Sequence, residues 1–175
     1  MSKRQNLRKV GVVAGAAALA GLTVGGIAQA MPSDHPDFDQ YCTTDQVDVA
    51  LSPLDHGMGK AGGEITFTAK PGQSCKLNGA PVLTFKDAAG QPLEIGNDIP
   101  GGQTQPIRVD AQHPGTSSFS FRVMDMNTGD QLHGPTPASV EVSLPAPVGA
   151  YSVDLPWDAQ AEVPSPVNVT PVVSR

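Results

Sequence analysis

From Cys42 onward, apolar residues recur at every second position, and this period constrains the fold more than any other feature of the chain. Val47, Val49 and Leu51 alternate with Asp48 and Ala50, and Ile65, Phe67 and Ala69 with Thr66 and Thr68. Leu83 and Phe85 flank Thr84, and Ile107 and Val109 flank Arg108. Phe119, Phe121 and Val123, then Val140, Val142 and Leu144, then Val167 and Val169 repeat the pattern. Successive side chains of a strand point to opposite faces, so each run describes a strand with one buried face. Turn formers separate the runs: Pro53 to Gly63, Lys70-Pro71-Gly72, Asp87 to Gly90, Pro100-Gly101-Gly102, Pro114-Gly115 and Asn127-Thr128-Gly129. One-sided alternation means antiparallel sheets with one wet face. Two such sheets packed together predict an all-β, immunoglobulin-like antiparallel β-sandwich. The tail from Pro145 is rich in Pro and Val, which suits an edge strand.

Residues 1–30 stand outside this pattern. Lys3, Arg4, Arg8 and Lys9 precede an apolar stretch from Val10 to Ile27, which ends in Ala28-Gln29-Ala30. A basic start, an apolar middle and a small-x-small end are the parts of a secretory signal peptide. Without a twin-arginine pair, the general secretion route is expected. The alternative is an uncleaved anchor, since about 18 apolar residues just reach across a bilayer. Residues 31–41 are expected to be a flexible acidic lead-in, and 42–175 the folded domain. Lipid attachment is not expected, because no cysteine stands at the cleavage point.

The charge supports the same compartment. The whole chain carries −6, but the seventeen acidic residues all lie beyond residue 30, where only seven basic ones remain. A mature chain of this balance repels nucleic acid and anionic membrane surfaces. Neither is expected as a partner.

Two cysteines occur, Cys42 and Cys75. In an exported chain they most simply pair with each other. Closing a loop of about 34 residues is worth ~3.8 kcal/mol on the chain-entropy treatment, a large share of the ~5–15 kcal/mol a domain has. A redox pair at Cys-x-x-Cys spacing is absent, and a catalytic thiol would be left unpaired.

The ordered series from Cys42 through the strand to Leu51, Gly63 to Ala69, and Pro71-Gly72-Gln73-Ser74-Cys75-Lys76-Leu77-Asn78-Gly79-Ala80-Pro81 into Asp87-Ala88-Ala89-Gly90 resembles the DUF4232 family. These are exported domains of unassigned function found mainly in actinobacteria. Gly72, Cys75, Leu77, Gly79, Pro81, Asp87 and Gly90 match its pattern, while Ala80 replaces the usual aromatic and Lys70-Pro71 a turn that often contains Asn. Pro114-Gly115, the strand Ser117 to Val123 and the late Val167-Asn168-Val169-Thr170-Pro171 follow it more loosely. The resemblance spans about residues 42–173. It implies a sandwich stapled by its two cysteines and supplies no catalytic residues.

Other constellations read as ordinary surface. His35, His56, His113 and His133 sit beside Pro, Gly or Asp, with no His or Cys partner at metal-ligand spacing. Asp34-His35-Pro36-Asp37-x-Asp39 is the densest ligand cluster and reads as a solvated terminus. Asp125 to Asp130 starts like a calcium loop, but its glycine comes a position early and no closing Glu follows. Gly57-Met58-Gly59-Lys60 lacks the spacing of a phosphate loop and with Gly62-Gly63 predicts a flexible connection. No nucleophile or metalloprotease motif occurs. Tyr41, Tyr151 and Trp157 are candidate recognition aromatics, with Trp157 expected in packing. Asn168-Val169-Thr170 has acceptor spacing for N-glycosylation but reads as strand.

The sequence therefore predicts a secreted or envelope-associated, non-catalytic binding or structural module, mostly monomeric. It carries one disulfide, no cofactor and no metal site, and its partner is an extracellular protein or glycan. The alternatives are a secreted hydrolase using carboxylates and a weak extracellular metal-binding protein.

Overall fold

The computed structural model describes residues 40–101, 105–146 and 151–175. The expected signal peptide, nearly all of the lead-in and His35 lie outside these residues. The described chain is all-β and contains no helix.

The strands are β1 Val47–Leu51, β2 Asp55–Gly57, β3 Lys60–Ala69, β4 Cys75–Leu77, β5 Val82–Lys86 and β6 Asn97–Asp98. They continue as β7 Ile107–Val109, β8 Gly115–Arg122, β9 Ser139–Ser143, β10 Ser152–Pro156, β11 Val167–Val169 and β12 Val173–Ser174. The larger sheet runs β1-β3-β8-β11-β6, with β2 paired to β3 and β12 to β8. Its spine is the antiparallel β3–β8 pair, in register from Lys60↔Arg122 to Phe67↔Gly115. A three-stranded sheet runs β10-β9-β5, and β4 pairs with β7. Among the described residues, every pairing between these strands is antiparallel except β11 with β6.

The alternation seen in the sequence now has a physical partner. Ile65 and Phe67 of β3 and Phe119 and Phe121 of β8 are buried, together with Val167 and Val169 of β11. Leu83 and Phe85 of β5 and Val140 and Val142 of β9 belong to the same hydrophobic cluster. Their neighbours on the wet faces are polar. Trp157 lies at the end of β10, with its ring edge-on to Phe85 at 5.3 Å and tilted against Phe119 at 6.1 Å. Burying an aromatic of this size dominates local packing energy, and its indole N–H donates to the Ala161 carbonyl at 3.2 Å. Trp157 thus packs as expected.

Cys42 and Cys75 form the disulfide, with Cα atoms 4.9 Å apart, and both are buried. The lead-in boundary moves slightly. Gln40 accepts a backbone hydrogen bond from Lys76, and Cys42 donates one back to the Lys76 carbonyl, both at 3.0 Å. Tyr41 bridges Lys76 in parallel. Residues 40 and 41 are therefore part of the fold, because the disulfide holds them beside β4.

The glycine-rich stretch 57–63 also differs from expectation. It is a β-hairpin, not a flexible connection. β2 pairs with β3 through Asp55↔Gly62, His56↔Ala61 and Gly57↔Lys60. Met58 and Gly59 make the tight turn with φ of 51° and 72°. Gly62 and Gly63 are strand residues where neighbours approach closely. A Cβ at Gly62 would run into the Phe119 carbonyl, and one at Gly63 would meet Ser52 Oγ at 2.9 Å and the Phe119 ring at 3.0 Å. Glycine inside a strand marks such close approach. Gly115, expected in a turn, opens β8 for the same reason, since a Cβ there would meet Val172 at 2.8 Å. The Pro-rich tail does supply an edge strand: β10 lies at the rim of the three-stranded sheet and ends at Pro156.

Candidate functional site

The concave surface gathers around one ridge, Ser52 to Gly57. Ser52 extends the β1–β3 ladder: its amide donates to the Glu64 carbonyl, and its hydroxyl accepts from the Glu64 amide, both at 2.9 Å. The chain then turns at Pro53 and re-enters the sheet as β2.

Clefts open on the sides of this ridge. One, of about 380 Å³, is apolar and lies against Leu51, Leu54, Pro156 and Trp157. A wider trough, of about 580 Å³, has Gly62, Gly63, Ser118 and Ser120 along it, with Lys60 and Glu64 among its charged residues. Cross-strand pairing explains it. Gly62 faces Ser120 and Glu64 faces Ser118 on the wet side of the β3–β8 spine. Small side chains at three of these positions leave the sheet backbone low and approachable. Thr170 fixes the floor, its hydroxyl accepting from the Ser118 amide at 2.9 Å. A third cleft, of about 340 Å³, holds His56, Val123, Leu132, His133 and Glu162.

His133 donates through Nδ1 to Glu162 at 2.9 Å. With the Gly134 amide, this hydrogen bond holds the Glu162 carboxyl below its ordinary range. The pair is largely exposed. His113 lies in a separate turn, hydrogen-bonded to Asp110 at 3.0 Å. The amide of Gln112, followed by His113, lowers the Asp110 carboxyl. His56 and His133 thus share a cleft and His113 does not. Among the described residues, no three His, Cys, Asp or Glu side chains are placed to hold a metal ion.

The Asp125–Asp130 loop is a hairpin turn. Asp125 accepts from the Asn127 amide at 2.8 Å, and Gly129 takes φ of 79°. Tyr151 is half exposed and Tyr41 is partly covered beside Lys76. Asn168 lies in β11, as strand sequence.

On the outer face of the three-stranded sheet, Lys86 joins Glu141 and reaches Asp154 at 2.8 Å. Asp154 and then Glu141 raise the Lys86 ammonium above its usual range. Lys86 and then Ser152 hold the Glu141 carboxyl low.

Sequence reasoning missed two features: the trough and a group of exposed methionines at the β2–β3 turn. Met58, Met124 and Met126 are 92%, 38% and 61% exposed. The close spacing Met124-x-Met126 was the only available signal. Met58 comes beside them only through the fold, because the Gly59 carbonyl accepts from the Val123 and Met124 amides.

No helix among the described residues is long and apolar enough to cross a membrane. No curated protein and no solved structure matches the chain. The family described as a domain of unknown function, DUF4232, matches residues 42–173. That span holds the disulfide, the ridge with its trough and every strand except the last residue of β12, and the chain belongs to the DUF4232 family.

Proposed function

We propose that this chain is an exported, non-catalytic binding module that works outside an actinobacterial cell, free or at its envelope. It receives an extracellular protein or glycan in the trough beside the Ser52–Gly57 ridge. The basic-then-apolar start of the sequence and the acidic domain behind it support export, as does the buried disulfide.

The trough is the observation that carries the binding reading. It is an open groove of about 580 Å³ on the wet face of the longest strand pair, with Gly62, Ser118 and Ser120 along it. Such a surface is shallow and mixes polar with apolar area. It suits hydroxyl- or amide-bearing ligands, which exchange hydrogen bonds with serines and backbone at small ordering cost. Lys60 and Glu64 supply a charge of each sign beside it.

The test is recovery of a partner from the producing organism's envelope by purified protein, with Ser120→Arg beside the wild type. The Arg side chain fills the trough from an outward-facing position. The wild type should recover a specific protein or glycan, and Ser120→Arg should lose it. Equal recovery by both, or no specific partner for the wild type, counts against the reading.

A further inference from the structure

Methionine is usually interior, where its flexible thioether fills irregular gaps. This chain places three of its five methionines at one exposed point. Met58 occupies the β2–β3 turn. The neighbouring Gly59 carbonyl accepts from the Val123 amide at 2.9 Å and from the Met124 amide at 3.3 Å. A Cβ at Gly59 would meet Met126 Sδ at 2.9 Å and Met124 Cβ at 3.3 Å. The turn and the segment 123–126 are thereby held against each other, with the thioether of Met126 laid over Gly59.

Neither turn chemistry nor packing accounts for Met58. A two-residue hairpin turn with both φ values positive favours Asn or Gly at its first position. Met58 takes φ of 51° there and is 92% exposed. Its side chain buries almost nothing, and its backbone occupies a region that side chains disfavour. A residue held in such a conformation points to a role beyond the fold.

We propose that Met58, Met124 and Met126 form a thioether site for a soft monovalent metal ion, copper(I). Thioethers are uncharged, soft donors that select copper(I) over zinc, calcium or magnesium. The nearby charges are mixed: Asp125 lies between two of the methionines and Asp55 is on β2, while Lys60 and Arg122 pair where β3 meets β8. Uncharged thioether donors and a monovalent ion ask little of that balance. No ligand has to lose a proton, so binding is insensitive to mild acid, unlike a site built on imidazole. None of the three methionines lines the trough, so this site and the partner-binding reading stand or fall separately.

The test is titration of purified protein with copper(I) against a chromophoric copper(I) chelator under reducing, oxygen-free conditions, at pH 7.5 and at pH 5. Silver(I) serves as a redox-inert probe for NMR of methyl-labelled methionine. One equivalent should bind with similar affinity at both pH values, and three methionine methyl signals should shift. The triple variant Met58→Leu/Met124→Leu/Met126→Leu should keep its circular dichroism and lose affinity by about 100-fold or more, since losing even an outer-shell partner costs about 10–100-fold. His56→Asn and His133→Asn should bind like the wild type. Unchanged binding by the triple variant overturns the proposal. So does unmoved methionine methyl signals, or affinity that collapses at pH 5 and in His56→Asn, which assigns the metal to imidazole.

Discussion

Lys86 lies between two carboxylates contributed by other strands, Glu141 of β9 and Asp154 of β10. Their hydrogen bonds act in opposite directions on the two kinds of group. The Glu141 carboxyl titrates below its ordinary range in the fold. The unfolded chain therefore takes up its proton first as pH falls. Its contribution to stability is full above the ordinary carboxylate range and is lost as pH drops through the lowered value. The Lys86 ammonium is raised, so its contribution is full below the ordinary lysine range and is lost as pH climbs through the raised value. Lys86→Met should flatten both limbs of a urea-denaturation stability profile against pH, with a small effect near neutrality because the cluster is partly solvated. An unchanged acid limb would show that Glu141 gains nothing from Lys86. Little of this was legible in the sequence, because residues 86, 141 and 154 meet only through strand register. Trp157 was easier to place. A lone tryptophan after Leu155-Pro156 in an aromatic-poor chain suggests a core lid, and its contacts with Phe85 and Phe119 make it one.

At the scale of elements, the period-two signal located most of the strands that bury a face, passed over the short β4 with its buried Cys75 and Leu77, and missed the strands that bury none. β1, β5, β7, β9 and β11 coincide with apolar alternation because their inward residues make the core. β2 is Asp-His-Gly and wholly exposed, and β6 is Asn-Asp. Neither has an apolar residue to betray it, and both exist only because a neighbouring strand offers backbone partners. The first half of β3 was hidden differently. Gly62 and Gly63 look like loop residues until the approach of Phe119 and Ser52 is seen. That approach makes a sharp prediction. Gly62→Val should push β3 away from β8 and destabilise the domain by about 1–3 kcal/mol or more. Amide exchange in β8 should accelerate. Wild-type exchange and stability in this variant would mean that the two strands are not packed as described. The same blindness hid the trough, whose floor is made of glycine and serine and carries no chemical motif.

For the whole molecule, the disulfide and the sheets support one another. Cys42 brings residues 40–42 alongside β4, and β4 pairs with β7. The bridge therefore ties the start of the domain to the β4–β7 pair, and just past β4 the Asn78 amide donates to the Pro145 carbonyl at 2.9 Å. This pairing was legible early, since two cysteines in an acidic chain with an export-like start have few other uses, and the family resemblance covered the same span that the family match does. The partner was not legible, because recognition by small polar side chains leaves no periodic or motif signature. The most direct test of the stapled sandwich is peptide mapping by mass spectrometry on the purified protein, with and without reduction, joined to urea denaturation of Cys75→Ala. Trypsin cuts after Lys60, so Cys42 and Cys75 should appear in one linked pair of peptides that separates on reduction. The variant should lose about 4 kcal/mol. Two free thiols in the purified protein, or a Cys75→Ala variant as stable as the wild type, would contradict the account.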